Sequence, residues 1–154
     1  MTATERLAEL GLTLPPVPVP AAAYVPATRA GQYIYTAGQL PFVDGKLPAT
    51  GKVGGAVTAE DAAQYARTAA LNALAAAASV AGGLDNIARI VKVTGFVASE
   101  PGFTGQPGVI NGASELLLEV FGEAGKHARS AVGVAVLPLD TPVEVELIAE
   151  VAGD

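Results

Sequence analysis

Two periods of apolar residues run through this chain, one helical and one alternating, and together they predict its elements. Ala66, Ala69, Ala70, Ala73, Leu74 and Ala77 recur every three or four residues, a small-residue face suited to lying flat on a sheet. Thr58-Ala59-Glu60-Asp61 opens that helix in a capping-box-like arrangement, and Gly82-Gly83 stops it just after Val80. A second long helix is predicted from Pro107, a residue suited to a first turn, through Leu116-Leu117-Leu118 to Phe121, with Gly122 ending it. A short helix over 4–10, with Thr4 as its N-cap and Gly11 as its stop, precedes both.

Strand signals fill the spaces between. Residues 24–29 and 33–39 predict two strands joined by a turn at Ala30-Gly31-Gln32. Asp44-Gly45 is a turn, and 46–57 reads as a Gly-rich loop or a ragged edge hairpin. Residues 87–98, where Ile90, Val91, Val93, Phe96 and Val97 are interrupted by Lys92 and Thr94, predict a long strand covered on both faces. Strands near 131–137 and 143–151 finish the chain. Pro15-Pro16-Val17-Pro18-Val19-Pro20 is a stiff extended arm, read as a connector because no basic residue flanks it. The order predicts an α+β fold, a mixed sheet with both long helices on one face. The plan is a helix and Pro-rich arm over 1–20, then one domain over 21–154.

Composition removes several chemistries. The 154 residues are enough for one domain with a proper core. The core must be built from small side chains, since Trp is absent and aromatics are few, and such a core gains area by tight packing or by joining subunits. With no cysteine there are no disulfides, thiol nucleophiles or thiolate metal sites, and one histidine makes no His-based metal centre. A formal net charge of −6 with scattered basic residues argues against nucleic acid as a partner. The longest apolar run, 73–80, is mostly alanine and too short to span a bilayer, and no signal-like run follows Met1. The expectation is a cytoplasmic protein without a membrane partner. Gly51-Lys52-Val53-Gly54-Gly55 lacks the spacing and the Ser or Thr of a phosphate loop.

What chemistry remains lies near the C-terminus. Arg129 stands just ahead of an apolar strand, and the last strand carries Glu144 and Glu146 on one face, about 7 Å apart by strand rise. An arginine facing such a carboxylate suits a small organic anion and an activated water. The plainer alternative is an exposed strand face with a surface ion pair, worth at most ~1 kcal/mol. His127, alone in a Gly-Lys-His-Ala loop, reads as a surface or turn residue. Asp44, Asp61, Asp85 and Asp140 sit in turn or capping contexts. Asn72 caps a loop or faces solvent. Tyr24 opens a strand with a polar tip, and Asn111 lies in the first turns of the second long helix, where an amide can cap or reach a ligand.

Four segments carry a resemblance to a known family. They are Tyr33-Ile34-Tyr35-Thr36-Ala37-Gly38-Gln39-Leu40-Pro41, Val109-Ile110-Asn111, Ala128-Arg129-Ser130-Ala131-Val132-Gly133-Val134 with Leu137-Pro138, and Val143-Glu144-Val145-Glu146. Over residues 20–151 the chain resembles the YjgF/RidA family of reactive-intermediate deaminases, also catalogued as endoribonucleases. The resemblance implies a chorismate mutase-like subunit assembling as a homotrimer with clefts between subunits. It implies hydrolysis of 2-imino or enamine acids to 2-oxo acids and ammonia, without a cofactor because a protonated imine is already electrophilic. By position, Arg129 would bind the substrate carboxylate and Glu144 would hold or activate water, helped by backbone near Ala131. Tyr24, Gly38 and Asn111 would line the cleft. A non-catalytic trimer binding small carboxylates or a partner protein is the alternative the same likeness admits. The chain departs from the family pattern at Ala37, His127 and Ala131, where serine, proline and cysteine are common.

Overall fold

The structure, a computed structural model, describes residues 1–20 and 22–153. The ends of the expected domain, Ala21 and Asp154, lie outside the described residues. Helix α1 spans Ala3–Glu9, α2 Ala59–Ala81 and α3 Gln106–Phe121; the strands are β1 Ala27–Ala30, β2 Tyr33–Thr36, β3 Ile87–Ala98, β4 Ala128–Val134 and β5 Val143–Val151. They form one mixed sheet in the order β1-β2-β5-β3-β4, in which only β3 and β4 run parallel. Parallel neighbours need a crossover, and α3 supplies it. Both long helices cover one face, α2 over β1, β2 and β5 and α3 over β3 and β4. No helix among the described residues is long and apolar enough to cross a membrane.

The alanine face performs as its spacing predicts. Ala66, Ala69, Ala70, Ala73, Leu74 and Ala77 are all fully buried, and their short side chains let α2 approach the sheet and α3 closely. Thr58 caps α2 by accepting from the Asp61 amide at 3.1 Å, and Gly82 closes it in the left-handed conformation. Asn72 caps a loop, donating to the Leu40 and Phe42 carbonyls at 2.9 and 3.1 Å. Asp44 keeps its turn role with a positive φ, whereas Asp85 does more than shape a turn: it accepts from the Thr4 amide and hydroxyl, 81 residues away at the start of α1.

Helix α3 touches α2 at Gly112, where a Cβ would overlap the Ala63 carbonyl of α2. Gly112→Ala must therefore push two helix backbones apart. Overpacking costs about 1–3 kcal/mol, which outweighs the roughly 1 kcal/mol that alanine gains as a helix former. A thermal melt is expected to show a lowered Tm. Gly108→Ala, on the same helix with open space at its Cβ position, is expected to raise it.

Several boundaries differ from expectation for physical reasons. The first helix runs over Ala3–Glu9 with Thr2, two residues before the expected Thr4, as N-cap in a capping box with Glu5. Strand β1 begins at Ala27 rather than at 24, because Pro26 has no N–H to give a ladder and Tyr24 and Val25 are exposed. Strand β4 spans 128–134, not 131–137, so Arg129 lies inside it. An edge strand tolerates polar residues, and the apolar alternation of 135–137 instead leads into Pro138 and the left-handed Leu139 and Asp140. Strand β3 is covered on one face only, its other face half-exposed.

Candidate functional site

The parallel register fixes where Arg129 points. It lies beside Val93, which is buried under the helices, so the pleat sends the guanidinium toward α3. There Nη1 donates to Asn111 Oδ1 at 2.7 Å and to Ser114 Oγ at 3.2 Å. Asn111 and Ser114, three residues apart in α3, share one helix face. Nη1 carries two hydrogens and both are used, so its plane is fixed. Nε and Nη2 donate to no protein group among the described residues. Arg129 is also absent from the ion pairs formed there, Arg67 with Glu119, Arg89 with Glu150 and Lys126 with Glu123. A guanidinium held at one nitrogen and unneutralised along the opposite edge matches the two oxygens of a carboxylate.

Glu144 belongs to the uncovered face. Along β5, Val143, Val145 and Leu147 are buried while Glu144, Glu146 and Ile148 alternate with them, half-buried, on the open side. Strand β2 leaves β5 through a bulge: Tyr35 pairs with Ile148 and Gln39 with Val145, four steps on one side against three on the other. The bulge carries Gly38 onto Glu144, where any Cβ would overlap the carboxylate. The Ala37 amide donates to the Pro26 carbonyl at 2.8 Å and pins that segment from β1's side. Burial, and then the charge of Glu146 two residues on, push the Glu144 carboxyl above its ordinary value.

The two halves of the expected pair do not meet in one chain. Arg129 shares a row of the sheet with Val93 and Leu147, and Glu144 shares one with Phe96 and Val132. These rows have opposite parity, so the arginine and the glutamate project from opposite faces. Neither borders the three concavities described among these residues. The largest, about 680 Å³, lies between the proline arm, the 39–45 loop and α2, lined by Pro15, Pro16, Phe42 and Leu71 among others. A smaller one of about 240 Å³ on the open face is lined by Tyr35, Lys92, Thr94 and Glu146.

Other candidates sort themselves around this division. Asn111 stands with Arg129, and Ala131 faces the same way beside Gly95. Gly38 stands with Glu144. Tyr24 is 58% exposed in the segment before β1, two residues from the Pro26 that holds Ala37. His127 is more than a turn residue, being half-buried and bonded to Ser114 at 2.9 Å. Ser114 was not among the sequence candidates; its signal was its place one helical turn after Asn111. Among the described residues no cluster of His, Asp and Glu could hold a metal ion.

A mixed sheet layered under two helices, with an edge-strand arginine tied to the helix above and a half-buried glutamate beneath a bulge glycine, defines an α+β subunit of the chorismate mutase-like class. The chain belongs to the YjgF family: the family model described as "YjgF/chorismate mutase-like, putative endoribonuclease" matches residues 4–151. That span takes in most of α1 and the proline arm. Protein TCP17 of Trypanosoma cruzi is 42% identical over 146 residues, which is 94% of this chain and 91% of the relative. A crystal structure of a protein of unknown function from Agrobacterium tumefaciens is 48% identical, with a TM-score of 0.88 over 97% of this chain and 92% of that one. Escherichia coli TdcF with bound serine is 27% identical, with a TM-score of 0.65 over 88% of this chain and 94% of that one.

Proposed function

We propose that this protein is a homotrimeric deaminase hydrolysing 2-imino and enamine acids to 2-oxo acids and ammonia, each site being built by two copies of the chain. The observation that carries the reading is the Arg129 fork, fixed through Nη1 yet without a carboxylate partner among the described residues of its own chain. A second copy supplies the missing acid when its Glu144 face meets the β4 edge of the first. Such a head-to-tail contact, turned through a third of a circle at each step, closes into a ring of three. The uncovered sheet face supports an assembly, since Tyr33, Tyr35 and Val132 are exposed there at 39, 43 and 42%. The serine held by TdcF supports a ligand of amino-acid size.

In this reading Nε and Nη2 of Arg129 grip the substrate carboxylate at two points. Glu144 accepts a proton from water as the water oxygen bonds to the imine carbon. Glu144 then returns that proton to the amino nitrogen of the tetrahedral amino alcohol. The C–N bond breaks to release ammonia, and Glu144 takes the hydroxyl proton as the C=O of the 2-oxo acid forms. The chain's contribution is orientation and water placement, since the imine carbon needs no further activation.

The test uses complementation. A pyridoxal-phosphate dehydratase generates the imine, and release of 2-oxo acid is followed with and without this protein. Wild type is expected to accelerate release and to have a mass three times the 15.3 kDa of the chain. Arg129→Ala and Glu144→Gln are each expected to lose most of their activity alone. Co-expressed, they are expected to regain activity at about a quarter of their interfaces, where an intact arginine meets an intact glutamate of another copy. No recovery, with wild type active, overturns the shared site; no acceleration by wild type overturns the deaminase.

A further inference from the structure

The hydrogen-bond chain from Arg129 runs on beyond Ser114, and none of the proposed chemistry uses that continuation. Ser114 Oγ lies 2.9 Å from His127 Nε2, and His127 Nδ1 lies 2.6 Å from the Gly125 carbonyl oxygen. Donor and acceptor roles follow from the two ends. The Gly125 carbonyl only accepts, so His127 Nδ1 carries the hydrogen and, in the neutral ring, Nε2 accepts. Arg129 Nη1 only donates, so the Ser114 oxygen accepts from it at 3.2 Å and its hydrogen goes to His127. Every link then has one donor and one acceptor, and the chain runs in a single direction from guanidinium to backbone.

Its far end is rigid. Gly125 is buried against α3, where a Cβ would overlap the Leu117 carbonyl, so nothing larger fits and its own carbonyl stays in place. The lone histidine two residues before Arg129 thus ties Ser114 of α3 to a fixed point in the tight turn that follows the helix. Asn111 alone would leave Nη1 one bond and the guanidinium plane free to swing about it.

We infer that Ser114 and His127 are positioning residues: they lock the Arg129 guanidinium so that its Nε–Nη2 edge is presented to a substrate carboxylate. The inference rests on the reading of Arg129 as the carboxylate site, and it adds two residues that act through the arginine without touching substrate. A residue that only orients a binding group changes affinity for the carboxylate more than the rate of the chemical step.

Two measurements test it. The first needs no ligand. In protein carrying nitrogen-15 arginine, slow rotation of the Arg129 guanidinium is expected to give separate Nη1 and Nη2 signals. Ser114→Ala and His127→Phe are expected to merge them, and Ser114→Thr, which keeps the hydroxyl, to leave them separate. Signals that stay separate in Ser114→Ala overturn the inference whether or not Arg129 binds a carboxylate. The second is calorimetry with 2-oxobutanoate. Ser114→Ala is expected to weaken binding about tenfold, the scale of a hydrogen bond to a charged group, with Ser114→Thr near wild type. Equal weakening in Ser114→Ala and Ser114→Thr overturns the inference. Wild type and Arg129→Ala binding alike overturns instead the assignment of the carboxylate site.

Discussion

Arg129→Ala is expected to lower kcat/KM for a 2-imino acid by about 2–4 kcal/mol, the scale set by loss of a preorganised donor to a charged oxygen. That is a factor of roughly 30 to 1,000. The size follows from what the alanine leaves behind: Asn111 and Ser114 lose the group they hold, and a substrate carboxylate loses both hydrogens of the fork. Arg129→Lys is expected to recover little, because an ammonium cannot bond Asn111 and Ser114 while offering a second, parallel pair of hydrogens. Steady-state kinetics with the dehydratase-coupled assay checks both, with thermal melts to show that the half-buried site still folds. Kinetics unchanged in Arg129→Ala would remove the arginine from the mechanism.

The second large effect is on kcat. Glu144→Gln is expected to reduce it by about 10²–10⁴-fold, the contribution of a positioned general base, with KM little changed. The pH profile carries a sharper expectation. Protonated Glu144 cannot take a proton from water, so activity falls as pH falls through its pKa. Burial first, and the Glu146 charge second, raise that pKa, so the acid limb should lie above the ordinary carboxylate range. Glu146→Gln removes the second cause and should move the limb to lower pH while keeping turnover. An acid limb that stays put in Glu146→Gln and persists in Glu144→Gln would assign it to another group.

The helices were legible because their signals are local. The alanine face, Thr58 and Gly82 fixed α2 to within a residue, and Gly122 did the same for α3. The alternation of Val143, Glu144, Val145 and Glu146 gave the correct faces of β5, since a buried face pins the register. Edge strands were read less well. The three-residue misplacement of β4 arose because Ala135, Val136 and Leu137 look like strand, whereas Arg129 and Ser130 do not. Only the pairing of Lys92–Ala98 with 128–134 decides between them. The same non-local information was missing at the site. That Arg129 and Glu144 face apart depends on which rows of β3 each joins, and no spacing along the chain records it. Ser114 and His127 meet across a helix, a tight turn and a strand, contacts that a single sequence does not announce.

The opposite faces taken by Arg129 and Glu144 also bear on how such a protein behaves when scarce. On the proposed reading, a lone chain holds two unlike fragments of a reaction centre and completes neither. Specific activity should therefore depend on protein concentration, falling on dilution below the level at which neighbours separate and returning when the sample is concentrated again.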